Sequence, residues 1–192
     1  MYVLFEGVDT CGKSTQIELL AQKYPQIVVT HEPGGTPFGQ KAREILLEDS
    51  LHSKRAELLL FLADRAEHYE RVVEPNKART VISDRGFVSG IGYALANGDF
   101  DFDELVFLNR FALKGRLPDC VILFVTNMQT LQMRTAQKEL DGIELRGLEY
   151  LLQVQEHMQQ TVERLGIPHL LVDATQSIEQ IHQQILAYLE LS

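Results

Sequence analysis

The sequence predicts an α/β fold, a doubly wound five-stranded parallel sheet with helices on both faces. Two observations carry this. Short apolar, β-prone runs recur at residues 3–5, 27–30, 80–83, 121–125 and 170–172, and helical patterns fill every interval between them. Helical crossovers leave neighbouring strands parallel and cover the sheet on both sides. Ligands of such sheets gather beyond the carboxyl ends of the strands, so the loops starting at Gly7, His31, Asp84, Asn127 and Asp173 are expected to face one cleft.

The first apolar run leads into Gly7-Val8-Asp9-Thr10-Cys11-Gly12-Lys13-Ser14-Thr15, a complete G-x-x-x-x-G-K-S loop. Its glycines let the backbone turn N–H groups inward around phosphate oxygens. Lys13 then reaches the β- and γ-phosphates, and the Ser14 hydroxyl can ligate Mg²⁺. A helix over about residues 13–24 follows, with Ile17, Leu20, Ala21 and Tyr24 on one face and its positive end aimed at the anion. The motif specifies phosphate, not a reaction. Cys11 sits at this helix end beside Lys13, a setting that favours a reactive thiol.

After the second strand comes Glu32-Pro33-Gly34-Gly35-Thr36, which alone reads as a turn. A strongly apolar helix then carries Phe61, Asp64 and Arg65. Phe61 and Arg65 are four residues apart, hence on one face, and can offer a flat ring and a planar donor to a base. Asp84 ends the third strand, from where a second carboxylate can assist a metal held by Ser14. Arg85 follows, its guanidinium fork suited to phosphate. The last two helices are amphipathic stripes, Leu148, Leu151, Leu152, Met158, Val162 and Leu165 on one and Ile178, Ile181, Ile185 and Leu189 on the other. Core packing is their expected work.

A chain of 192 residues with 45% apolar content suits one core, so residues 1–192 are expected to form one domain. The net charge of −9 argues against a nucleic-acid partner, because duplex binding relies on Lys and Arg. Two cysteines, one in the phosphate loop and one opening a strand, suggest neither a disulfide framework nor a zinc site. No apolar stretch approaches the ~20 residues of a membrane span. The cytoplasm is the expected compartment.

Together these features resemble the thymidylate kinases, P-loop NTPases of the nucleoside monophosphate kinase type that transfer the γ-phosphoryl of ATP to dTMP. The resemblance covers nearly the whole chain. It rests on Phe5-Glu6 before the loop, Glu32 to Thr36, Phe61-Leu62-Ala63-Asp64-Arg65, Asp84-Arg85, Leu117-Pro118-Asp119 and Asp173-Ala174-Thr175-Gln176, in that family's order and approximate spacing. It implies that dTMP meets Asp9 at its 3′-hydroxyl, Phe61 and Arg65 at thymine, Ser89 near the base and Tyr93 against C2′. Arg43 and Arg85 would hold its phosphate. Glu32 and Pro33, joined by a cis peptide, would flank the site. ATP would lie on residues 7–15 with Arg134, Asp173 and Thr175, and Mg²⁺ on Ser14 and Asp84. Catalysis would fall to Lys13, Arg85, Arg134 and Asp9, with a lid at about residues 134–146. A homodimer is also implied.

The chain departs from the family pattern in several places. Gly90 and Ala94 stand where relatives often present a polar side chain to the base, which shifts discrimination toward Arg65 and Ser89. Val125 replaces an Asp, leaving Asp84 as the main carboxylate for the metal. Thr10 replaces the loop arginine of one family branch, so Arg134 is expected to supply that charge, with Lys138 and Arg146 nearby. The rival readings are another nucleoside monophosphate kinase and a nucleotide switch. The switch would need Asn-Lys-x-Asp after a strand, whereas Asn76-Lys77-Ala78-Arg79 lacks the acid and precedes its strand.

Overall fold

The computed structural model describes residues 1–47, 51–135 and 147–191. These contain five strands, β1 (Tyr2–Glu6), β2 (Val28–His31), β3 (Val81–Asp84), β4 (Cys120–Val125) and β5 (His169–Asp173), in one parallel sheet ordered β2-β3-β1-β4-β5. The sequence located every strand but drew most of them a residue or two short. His31 still pairs with Asp84, and Asp173 with Val125, because the ladder uses backbone groups and tolerates a polar side chain at its end.

Side chains of the central strands alternate between two cores. Tyr2 and Leu4 of β1, with Val121 and Leu123 of β4, join one cluster. Val3 and Phe5, with Ile122 and Phe124, join the other. The first is covered by α3 (Lys54–His68), α4 (Phe87–Ala96), α5 (Phe102–Ala112) and α7 (Leu148–Arg164), which contribute Leu62, Ile91, Leu105 and Val154. The second is covered by α1 (Lys13–Lys23) and α8 (Ile178–Tyr188) through Ile17, Leu20, Ile181 and Ile185. Every residue of β1 is therefore buried, which explains its unbroken apolar reading. The α7 stripe packs inward as its periodicity predicts, and so do Ile181, Ile185 and Leu189 of the last stripe, whereas Ile178, in the first turn of α8, is exposed. α2 (Pro37–Leu47) and α6 (Met128–Thr135) complete the described α-helices, and a π-helical turn (Tyr69–Val73) and a 3₁₀ turn (Glu74–Asn76) extend α3.

Helix starts separate scaffold from site. Thr36 accepts from the Gly39 N–H at the start of α2, and Ser53 and Asp101 cap α3 and α5. Ser177 and Gln180 form a capping box on α8. Each such cap contributes on the order of 1 kcal/mol. α1 begins instead on Gly12, at φ 98° in the left-handed region and without a side-chain cap. Glycine takes that conformation at little cost, and the first-turn N–H groups are left to an external anion.

Candidate functional site

At the donor end, the loop after β1 curls back over the Lys13 ammonium, which donates to the carbonyls of Gly7 at 2.9 Å and Val8 at 3.0 Å. Ser14 Oγ donates to Asp84 Oδ2 at 3.3 Å across the gap between α1 and β3. The other oxygen, Asp84 Oδ1, is buried and has no partner among the described residues. A hydroxyl facing a carboxylate with an unsatisfied oxygen is a donor set suited to a hard cation that keeps most of its waters. Arg134, in the last turn of α6, donates to the Thr10 carbonyl at 3.0 Å and the Ala174 carbonyl at 2.6 Å. It thereby ties the phosphate loop to the loop after β5. In that second loop, Asp173 accepts from the Thr175 N–H at 2.9 Å and hydroxyl at 2.7 Å, bonds that hold its carboxyl below the usual range.

Beside the phosphate loop, on the α3–α4 side of the sheet, lies a cavity of about 430 Å³. All nine residues expected at the acceptor line it: Asp9, Glu32, Pro33, Arg43, Phe61, Arg65, Arg85, Ser89 and Tyr93. Arg65, in its wall, donates to Glu32 Oε2 at 2.8 Å and Asn109 Oδ1 at 2.6 Å. Gly90 packs against the guanidinium, where a Cβ would come within 3.2 Å of Nη2. A side chain at position 90 would therefore crowd the arginine. His68 Nδ1 donates to Glu32 Oε1 at 2.8 Å, and His68 Nε2 and the Thr30 hydroxyl share a hydrogen bond at 2.7 Å. Burial pushes the Glu32 carboxyl up, but Arg65 and His68 outweigh it and leave it below its ordinary value. The Glu32-Pro33 peptide is cis, as the resemblance implies.

Arg85 stands between donor and acceptor regions. Its backbone lies in the left-handed region at φ 65°, held by its N–H donating to Phe5 and by Ser83 Oγ donating to its carbonyl at 2.8 Å. Its guanidinium donates to Asp9 Oδ1 at 2.6 Å, the Gly7 carbonyl at 2.9 Å and Ser89 Oγ at 3.1 Å. It also lies 5.8 Å from the centre of the Tyr93 ring. The Ser89 hydroxyl in turn donates to Glu6 Oε2, as does the Ser89 N–H at 3.2 Å. Glu6 is fully buried, and burial pushes its carboxyl up to about 7 against the bonds from Ser89 and the nearby Arg85 charge.

Sequence reasoning missed several wall residues. Leu46, Leu47, Leu51 and Leu58 supply apolar lining, and Asn97, Phe100 and Tyr150 also line the cavity. Tyr150 donates to Asn97 at 3.0 Å, and its ring lies 6.4 Å from that of Tyr93. One expectation changes. Cys11 is 2% exposed and packs beneath the loop with Phe5 and Phe124, so an accessible, reactive thiol is not what the fold presents. The Leu117-Pro118-Asp119 motif lies at the amino ends of the strands, where Asp119 accepts from the Tyr2 N–H at 2.6 Å. Lys138 and Arg146, with most of the expected lid, fall outside the described residues.

Comparisons with known proteins fit this geometry. The family model described as thymidylate kinase matches residues 5–185. The chain is 75% identical over 191 residues to the thymidylate kinase of Sulfurovum sp. (strain NBC37-1), covering all of both chains. It is 52% identical over 188 residues to the thymidylate kinase of Campylobacter concisus, covering 96% of each. Among solved structures it resembles the thymidylate kinase of Ehrlichia chaffeensis, at a TM-score of 0.77 and 24% identity, covering 100% of this chain and 98% of that one.

Proposed function

The chain belongs to the thymidylate kinase family, and from that premise we propose how its residues carry out the reaction. The activity is ATP:dTMP phosphotransfer, which yields dTDP. The observation that carries the residue assignment is the cavity beside the phosphate loop, in which an aromatic ring, the buried Arg65, the partly buried Arg85 and Asp9 converge.

On this reading ATP lays its phosphates on residues 7–15, where α1 offers uncapped N–H groups and Lys13 its ammonium. Ser14 and Asp84 are the groups that would hold Mg²⁺, which when bound supplies charge neutralisation to the phosphates. Arg134 fixes the phosphate loop against the Asp173–Thr175 turn, so it positions the donor as well as adding positive charge. At the acceptor, Phe61 stacks on thymine and Arg65 reads its edge. Arg85, with Arg43 at the cavity wall, receives the phosphate, and Asp9 meets the sugar hydroxyl. Tyr93 crowds the sugar. Ser89 acts on the acceptor through Arg85 rather than through the base. Phosphoryl transfer through a loose transition state needs positioning and charge compensation more than a base, and this set supplies both.

The test is to incubate the protein with ATP, Mg²⁺ and each of dTMP, dUMP, dCMP, dGMP, AMP and UMP. dTMP is expected to give the highest kcat/KM. dUMP lacks only a methyl group, so it should fall ~10–200-fold below dTMP rather than fail. A preference for AMP, dCMP or dGMP would overturn the acceptor assignment.

The described elements share one sheet, which supports reading residues 1–192 as one domain with a lid at about 134–146. Two buried free cysteines support a cytoplasmic setting. Among the described residues no helix is long and apolar enough to cross a membrane. The neighbouring helices α2, α3 and α5 expose Ile45, Leu59, Phe107 and Phe111, the last two 69% and 80% exposed. Apolar side chains this open favour a second copy of the chain as their cover, giving a homodimer. Sedimentation should then show twice the chain mass, and Phe107→Asp with Phe111→Asp should halve it. A monomeric parent would end this proposal.

A further inference from the structure

Glu6 is a fully buried acid beside the acceptor cavity to which the transfer reaction assigns no work. We propose that Glu6 is a positioning residue: it holds the Ser89 hydroxyl so that a lone pair faces Arg85, and so fixes the guanidinium that receives the acceptor phosphate. This rests on the reading of Arg85 as the acceptor-phosphate arginine.

A serine hydroxyl carries one hydrogen and two lone pairs. Both Ser89 donors, N–H and O–H, go to Glu6 Oε2, so the hydroxyl hydrogen is committed there. What remains toward Arg85 Nη1 is an acceptor, and that nitrogen donates to it at 3.1 Å while donating to Gly7 at 2.9 Å. Nη2 meanwhile donates to Asp9. The guanidinium is therefore oriented by three acceptors, one of which has its polarity set by Glu6. An ionised carboxylate can only accept, whereas an amide or a protonated acid can turn a donor toward Ser89 and let its hydrogen swing to Arg85. Two positive charges also face Glu6, Arg85 after β3 and Lys13 of α1. Asp9 and Asp84 lie beyond Arg85, Tyr93 of α4 borders it, and Tyr2 neighbours Glu6 on β1. Glu6 Oε1 has no partner among the described residues, so the contact with Ser89 is the carboxyl's principal anchor.

The experiment is steady-state kinetics on the full chain carrying Glu6→Gln, Ser89→Ala, the double substitution, and Arg85→Ala as reference. Losing or inverting one hydrogen bond to a charged group corresponds to ~10–100-fold. Glu6→Gln and Ser89→Ala should each raise KM for dTMP by about that factor, with KM for ATP within about twofold. The double variant should be no worse than the more impaired single one, because Glu6 acts through Ser89. Lowering the pH below 7 should weaken dTMP use more in the parent than in Glu6→Gln, which has no carboxyl to protonate at that position. An unchanged KM for dTMP in Glu6→Gln overturns the proposal. So do multiplying effects in the double variant, or equal losses toward both substrates. If Arg85→Ala itself leaves KM for dTMP unchanged, the reading of Arg85 has failed instead.

Discussion

Arg85→Ala should lower kcat/KM for dTMP by ~10²–10³-fold while altering KM for ATP much less. The guanidinium can give the acceptor phosphate two charge-assisted hydrogen bonds, each contributing ~1.5–3 kcal/mol, and part of that sum is recovered by water in the variant. A second loss follows from the geometry. Asp9, which Arg85 neutralises at 2.6 Å, would be left facing an incoming phosphate of like charge. Arg85→Lys should recover only part of the activity, because a single ammonium cannot hold Asp9, Gly7 and Ser89 together as the fork does. Steady-state kinetics with dTMP varied at saturating ATP decides it. A loss confined to ATP use would move Arg85 to the donor site.

Lys13→Met should lower kcat by ~10³-fold or more with a smaller change in KM for ATP. Lys13 meets the charge that builds on the migrating phosphoryl group more strongly as transfer proceeds than it holds bound ATP, and one such donor typically gives ~10²–10³-fold. Methionine fills a similar volume, but the carbonyls of Gly7 and Val8 lose their donor, so the loop is also less well ordered. Arg134→Ala should be milder, at or below the ~10³-fold lower end for arginine fingers, since that side chain also positions backbone at Thr10 and Ala174. Single-turnover rates at saturating ATP would separate the two. A Lys13→Met enzyme with near-normal kcat would remove Lys13 from the chemistry.

The donor end was legible because its chemistry is local: nine consecutive residues after a strand give loop, helix start and cation. Asp84 and Arg85 could be placed because a strand end is visible as the point where an apolar run stops. The acceptor end was legible only through motif order, since Phe61, Arg65 and Tyr93 meet by packing of α3 and α4 and carry little signal singly. Asn109 and Tyr150 were not readable. Their side chains reach Arg65 and Asn97 across 44 and 53 residues, and no pattern within α5 or α7 distinguishes them from ordinary helix positions. Cys11 failed for a related reason: helix-end position is a sequence property, but burial under the loop depends on β4 and Phe124.

Glu6 also bears on how firmly the molecule folds. Its carboxyl titrates near 7 in the folded chain and near 4.5 when exposed, so between those values the folded form binds the extra proton. The sign follows directly: its contribution is most favourable below about 4.5 and is lost as pH rises through 7. At 1.36 kcal/mol per pH unit, the move from 4.5 to about 7 corresponds to roughly 3 kcal/mol. That is a substantial fraction of the ~5–15 kcal/mol that holds a typical domain together. Denaturant unfolding at pH 5 and pH 8 should therefore show Glu6→Gln gaining on the parent as the solution becomes alkaline. At neutral pH and above, the enzyme carries an acid that weakens its fold, in the place where an oriented Arg85 requires one.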